Sequence, residues 1–227
     1  MAIIDIKNIT KVYNSDQIPV HALNGIDLQI EAGEFTAIVG PSGSGKTTLL
    51  NILGGLDDPT SGNIDINGVD LFSLNQKQLT DYRLHHIGFV FQSYNLIPVL
   101  TARENIEFIL QIQGKGADQY KQRSLELLEA VGLVDKADKR PSELSGGQQQ
   151  RVAVARALAS NPDFVLADEP TANLDTASTT NLLDIMASMN RELGVTFIFS
   201  THDQRVVERA NRVVTLVDGK IFSDEKH

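Results

Sequence analysis

Cysteine and tryptophan are both absent from this 227-residue chain, and aromatic residues make up only 6% of it. Without cysteine there can be no disulfide framework and no thiolate metal site. Basic residues are the scarcer charge, 20 Lys and Arg against 29 Asp and Glu, so the formal net charge is −9. That balance disfavours broad binding to a nucleic-acid backbone, and only a local basic patch would survive it. No apolar run approaches the roughly 18 residues that span a bilayer. The opening MAIIDIKNITKVY alternates like a short strand and lacks the basic start and apolar centre of a signal peptide. There is no internal repeat and no low-complexity tract. The expectation is a cytoplasmic chain whose only membrane role is peripheral, with no nucleic acid among its partners.

What is present is an ordinary globular composition, 41% hydrophobic and 22% charged, in a chain long enough for one large domain. IIDIKNI, IDLQI and EFTAIVG are short β-type runs, and NIDINGVDL alternates about a turn-forming Asn-Gly. KTTLLNILGGL has a helical pattern that should close at Gly54-Gly55. HIGFVFQ is again strand-like. From about Ser93 to Asn161 the pattern becomes helical throughout, in TARENIEFILQI, ADQYKQRSLELLEAVGL and SGGQQQRVAVARALAS. After Pro162 the alternation returns as DFVLADE, TASTTNLLDIMASMNREL, VTFIFSTHD and RVVTLVDGK: strand, helix, strand and strand. This predicts an α/β core of mostly parallel strands with an integrated all-helical insert.

Gly40 to Thr47, GPSGSGKT, fits G-x-x-x-x-G-K-[ST] in full, after one apolar run and before a helical one. Its glycines let backbone N–H groups turn inward on phosphate oxygens, and the helix N-terminus adds partial positive charge. Lys46 is expected to reach the β- and γ-phosphates and Thr47 to meet Mg²⁺. DFVLADE delivers Asp168 at a strand tip, where it can help hold the metal. Glu169 would then face the other side of the strand and orient or deprotonate water. Gln92 closes HIGFVFQ, where it can touch metal or water, although a strand-end glutamine is more often simply solvated. His202, after FIFST, can donate to a γ-phosphate oxygen or merely sit in a capping turn beside Asp203. Tyr13 can stack on adenine, although an aromatic near a strand end usually packs. Ser145 is placed as the N-cap of a helix running to about Ser160, with Gly146, Gly147 and Gln148 in its first turn. Two glycines there cost about 1 kcal/mol each relative to alanine, more than a bare capped helix needs.

Together these residues resemble the ATP-binding cassette (ABC) ATPases over the whole chain. GPSGSGKTT resembles the family's Walker A motif, FVLADE its Walker B and LSGGQ its signature; ANLD, with Asp175, matches its D-loop. The finer likeness, through GFVFQSYNLIPVLTARENIE and LADEPTANLD, is to the lipoprotein-releasing and macrolide-exporting (LolD/MacB-like) subfamily, with Ala172 where these relatives often carry glycine. The resemblance implies one α/β domain over residues 1–227. Its P-loop NTPase (RecA-like) core would occupy about 1–92 and 162–227, with a small antiparallel β subdomain, and a helical subdomain about 93–161. It implies ATP and Mg²⁺ as ligands. Nucleotide contacts would come from Tyr13, from Gly40, Pro41, Ser42, Gly43, Ser44, Gly45, Lys46, Thr47 and Thr48, and from Ser145, Gly146, Gly147, Gln148 and Asp175. Metal contacts would come from Thr47, Gln92 and Asp168, and catalysis from Glu169, His202, Lys46 and Gln92. It further implies head-to-tail pairing with a second ATPase chain, the signature of one closing on the P-loop of the other, and coupling to integral membrane permease subunits. An FtsE-like cell-division ATPase is the alternative. A DNA-repair ABC protein is disfavoured, because only about a hundred residues, without heptads or cysteines, separate P-loop and signature.

Overall fold

Three apolar five-residue runs, FTAIV, FVLAD and TFIFS, form the centre of the larger sheet as β3 (Phe35–Val39), β7 (Phe164–Asp168) and β8 (Thr196–Ser200). The computed structural model describes residues 2–14 and 18–227; Met1 of the expected first strand lies outside them. Strands buried on both faces read as continuous apolar runs because helices or a second sheet cover each side. The six-stranded sheet has the order β10-β9-β3-β8-β7-β6, where β6 is Ile87–Val90, β9 Arg212–Val217 and β10 Lys220–Lys226. All pairings are parallel except the β9–β10 hairpin, which turns at Asp218 and Gly219, both with positive φ.

A smaller antiparallel sheet has the order β2-β1-β4-β5, with β1 Ala2–Tyr13, β2 Val20–Glu31, β4 Ser61–Ile66 and β5 Val69–Asp70. Its β4–β5 turn is the Asn67-Gly68 expected from sequence, both residues left-handed. The helices are α1 (Lys46–Leu53), α2 (Gln76–His86), α3 (Ala102–Ile112), α4 (Ala117–Ala130), α5 (Gly146–Ala157), α6 (Thr176–Leu193) and α7 (Gln204–Val207). The helix α2 is not expected from the sequence pattern, whereas α7 is the helix expected to follow the capping turn at Asp203. The 11 residues of α2 bury only Leu79, and α7 has only four residues. A reciprocal Asn75–Gln78 capping box starts α2 and compensates for its missing apolar stripe.

Alternation along the central strands divides the interior in two. Ile38, Leu166 and Ile198 join α1 and the antiparallel sheet in one cluster, while Ala37, Val165, Ala167, Phe197 and Phe199 face α3 to α6 in the other. Ile106, Leu110, Leu127, Leu128 and Val152 belong to that second cluster. The helical stretch is therefore continuous with one face of the sheet. No described helix is long and apolar enough to cross a membrane.

Candidate functional site

The carboxyl ends of β3, β8, β7 and β6, neighbours in that order, bring the chemistry-bearing residues together. Open α/β sheets place their sites at such an edge, where loops leave the strands in opposite directions. Tyr13, Gly40, Pro41, Ser42, Gly43, Gly45, Lys46, Thr47, Thr48, Gln92, Glu169 and His202 line one cavity of about 750 Å³. Ala172, beside the D-loop match, also lines it, and Val20, His21 and Ala22 complete its wall without being singled out as site residues by the sequence.

The loop after β3 is shaped by its glycines. Gly45 has φ 103°, and a Cβ on it would run into the Ala22 carbonyl. Lys46 follows at the head of α1, which carries no acidic residue in its first turn. Its side chain is 9% exposed, and its ammonium donates to the Gly40 and Pro41 carbonyls at 2.9 and 3.0 Å. Among the described residues no carboxylate pairs with it. A nearly buried cation held only by neutral carbonyls at a helix N-terminus fits an anion. The buried Ser44 hydroxyl in the same loop also has no hydrogen-bond partner among the described residues.

Thr47 Oγ1 donates to Asp168 Oδ1 at 3.1 Å, joining the P-loop to the tip of β7. These are hard oxygen donors of the kind Mg²⁺ takes. No group of three or more His, Asp or Glu able to hold a metal occurs among the described residues. A cation at Thr47 and Asp168 would therefore draw its remaining oxygens from a bound phosphate and water, as Mg²⁺ commonly does.

The strand ends at Asp168, so strand alternation does not aim Glu169. Instead Glu169 has φ 45°, a left-handed conformation that is uncommon without glycine. Its N–H donates to the Ser200 carbonyl at 2.9 Å, which fixes the turn against β8. The carboxylate then meets His202 Nδ1 at 2.8 Å and accepts from the Thr201 hydroxyl at 3.3 Å. His202 precedes Asp203, the N-cap of α7, so it occupies the capping turn and also reaches into the site. Gln92 lies two residues past the end of β6, is exposed, and accepts through its carbonyl from Asn173 Nδ2 at 3.1 Å.

The second glycine-rich stretch stands apart. Ser145 caps α5: its hydroxyl accepts from Gln148 N–H at 3.3 Å, while Gln148 Oε1 accepts from Ser145 N–H at 2.9 Å. A Cβ on Gly147 would lie 2.7 Å from Ser178 Oγ on α6, so close helix packing accounts for that glycine. Ser145, Gly147 and Gln148 line a separate cavity of about 260 Å³ with Arg151 and Ser178. It has no residue in common with the first. Asp175 caps α6, and the Ser178 N–H at 2.9 Å holds its carboxyl below the usual range. It lines neither cavity.

One buried residue joins these regions and is not singled out by the sequence. Gln150, fully buried on α5, donates to the Phe91 carbonyl at 3.3 Å and the Pro170 carbonyl at 2.8 Å. It ties the signature helix to the segments that carry Gln92 and Glu169. It follows Gln148 and Gln149 and precedes Arg151, so nothing in the sequence distinguishes it from its polar neighbours.

Residues 23–172 match the model of the family described as "ABC transporter". The lipoprotein-releasing system ATP-binding protein LolD 1 of Rhodopseudomonas palustris is 48% identical over 96% of this chain and 98% of its own length. The macrolide export ATP-binding/permease protein MacB of Brucella melitensis is 47% identical over 98% of this chain, which spans 34% of that longer protein. The cassette MJ0796, from Methanocaldococcus jannaschii, has been solved as a dimer in a post-hydrolysis state with ADP and Pi. It superposes with TM-score 0.89 at 43% identity, covering 98% of both chains.

Proposed function

The chain belongs to the ABC transporter family, and on that premise we propose that it is the ATP-hydrolysing subunit of a membrane complex of the LolD/MacB type. The observation that carries this reading is the pair of complementary half-sites. One surface presents the P-loop, with Lys46 held by neutral carbonyls, and another presents the capped Ser145 turn beside Arg151, with none of the P-loop residues in its cavity. Each half becomes useful when two chains pair head to tail around ATP. The dimer solved for MJ0796 is consistent with such pairing.

In this reading the P-loop N–H groups and Lys46 bind the β- and γ-phosphates, and Tyr13 meets the adenine. Mg²⁺, held by Thr47, Asp168 and Gln92, would neutralise phosphate charge. Glu169 takes a proton from the water that attacks the γ-phosphate, giving ADP and phosphate; general-base assistance of this kind is worth about 10²–10⁴ in rate. In the structure Glu169 is held by His202, and a bound γ-phosphate competes for that imidazole and frees the carboxylate for water.

Coupling to membrane subunits has a surface suited to it. A groove of about 550 Å³ lies between β6, α2, α3 and α5, walled by Leu84, Phe89, Phe91, Ile109 and Ile112, with Arg83 and Arg156 at its margin. Burial lowers the pKa of Arg156, and no carboxylate pairs with it among the described residues. Its guanidinium instead grips the Tyr94 and Asn95 carbonyls, just past Gln92. An amphipathic segment of a membrane subunit carrying an acidic residue fits this groove. The chain would accordingly sit on the cytoplasmic face of the membrane. The cargo, and whether the complex releases lipoproteins, exports small molecules or transmits force, would be set by those subunits. Glu169→Gln tests the reading: ATP binding by titration should persist while turnover falls at least a hundredfold, and full turnover would contradict it.

A further inference from the structure

The end of β1 and the loop after α1 meet at a compact polar cluster. Tyr13 OH donates to Asp57 Oδ2 at 2.6 Å, and Lys11 Nζ donates to Asp57 Oδ1, also at 2.6 Å. Lys11 Nζ makes a second bond, to the Asp58 carbonyl at 2.6 Å, and stands 4.7 Å from the centroid of the Tyr13 ring. Lys11 and Asp57 are 12% and 28% exposed, so solvent competes little for this pair. Burial pushes the Asp57 carboxyl up, and the bonds from Lys11 and Tyr13 outweigh it, leaving the group below its usual range. Asp57 is fixed in turn by its N–H to the Asn51 carbonyl of α1 at 3.3 Å and by Asp58 N–H on its Oδ1 at 2.9 Å.

We propose that Asp57 and Lys11 are positioning residues for the nucleobase: they set the tilt of the Tyr13 ring so that its free face meets the adenine. A lone tyrosine at a strand end has two rotatable side-chain torsions, and ordering it on binding would weaken the complex. Here the phenol is tied at its tip and a cation covers one face, so the ring is ordered in advance. The cation also contributes from behind the ring, since a positive charge over an aromatic face is itself attractive. The same helix serves both ends of the ligand: α1 opens on the phosphate loop at Lys46, and the loop beyond its far end returns Asp57 to the base-facing tyrosine.

This inference rests on the cavity being an ATP site with its base on Tyr13. The test measures binding of ATP and of inorganic tripolyphosphate, with Mg²⁺, to the wild type, Asp57→Ala, Asp57→Asn and Tyr13→Phe. Asp57→Ala should weaken ATP about tenfold and leave tripolyphosphate within twofold. KM for ATP should rise by the same factor while kcat moves less than twofold. Asp57→Asn, which keeps an acceptor for the phenol, should recover part of the loss. Asp57→Ala combined with Tyr13→Phe should be no weaker than Asp57→Ala alone, because both remove one contact. Equal weakening of ATP and tripolyphosphate would overturn the proposal by showing that Asp57 only supports the phosphate loop, and unchanged ATP affinity would overturn it outright. A wild type that binds tripolyphosphate but not ATP would instead refute the ATP site itself.

Discussion

Glu169 and Gly45 depend on backbone geometry rather than on side-chain chemistry alone. The paired carboxylates of LADE are legible as a strand tip, but the aim of Glu169 is not, because a left-handed φ of 45° sets it rather than strand alternation. Such strain, costing about 1–3 kcal/mol, persists where surrounding structure enforces it. Here the Ser200 carbonyl, His202 and Thr201 do so, all more than thirty positions away in sequence. Gly45 is the converse case, fully legible from the P-loop pattern. Gly45→Ala must adopt φ 103° and drive its methyl into the Ala22 carbonyl, whereas a methyl on Gly43, at φ 79°, would meet open space. Gly45→Ala should therefore lower stability by about 2–3 kcal/mol and weaken ATP binding more than tenfold. Gly43→Ala should cost only its strain, and the two are compared by urea denaturation and nucleotide titration. Equal effects from the two substitutions would contradict the packing account.

At the scale of elements, the central strands and α1, α3, α4, α5 and α6 are legible because each carries a continuous apolar run or a stripe. The helix α2 is not, since one buried leucine and a capping box leave almost no periodic signal. The four-residue α7 exists because Asp203 caps it, accepting from Arg205 N–H at 3.0 Å, from the Arg205 guanidinium at 2.7 and 2.9 Å, and from Thr171 Oγ1 at 2.9 Å. Those contacts, Arg205 foremost, hold the Asp203 carboxyl at about 2. A folded pKa below the unfolded value of about 3.9 means the stabilisation is complete above about pH 5 and is lost as pH falls towards 2. Asp203→Asn should lower the urea midpoint at pH 7 and flatten its decline between pH 5 and 2.5. An unchanged acid slope would show that Asp203 is not a source of it. Because Thr171 follows Glu169 closely and His202 adjoins Asp203, the same substitution should also loosen the Glu169–His202 contact.

Over the whole molecule, the sequence separates a strand-rich core from a helical insert, yet the interior is divided along a different line. One apolar cluster runs from the central sheet into α3 to α6 and the other from its opposite face into the antiparallel sheet. Gln150 and Arg156 then tie the helices to the segments after β6 and β7 by side-chain bonds to carbonyls, a kind of link that residue patterns do not reveal. The two glycine-rich turns remain on separate surfaces of one chain, which is the arrangement a shared site between two chains requires. The decisive measurement is the solution mass of Glu169→Gln with Mg-ATP, with and without Ser145→Arg. The account predicts a dimer for Glu169→Gln with ATP and a monomer with ADP, and a monomer with ATP once Ser145→Arg is added, each chain still binding nucleotide. A double variant that dimerises as fully as Glu169→Gln alone would contradict it.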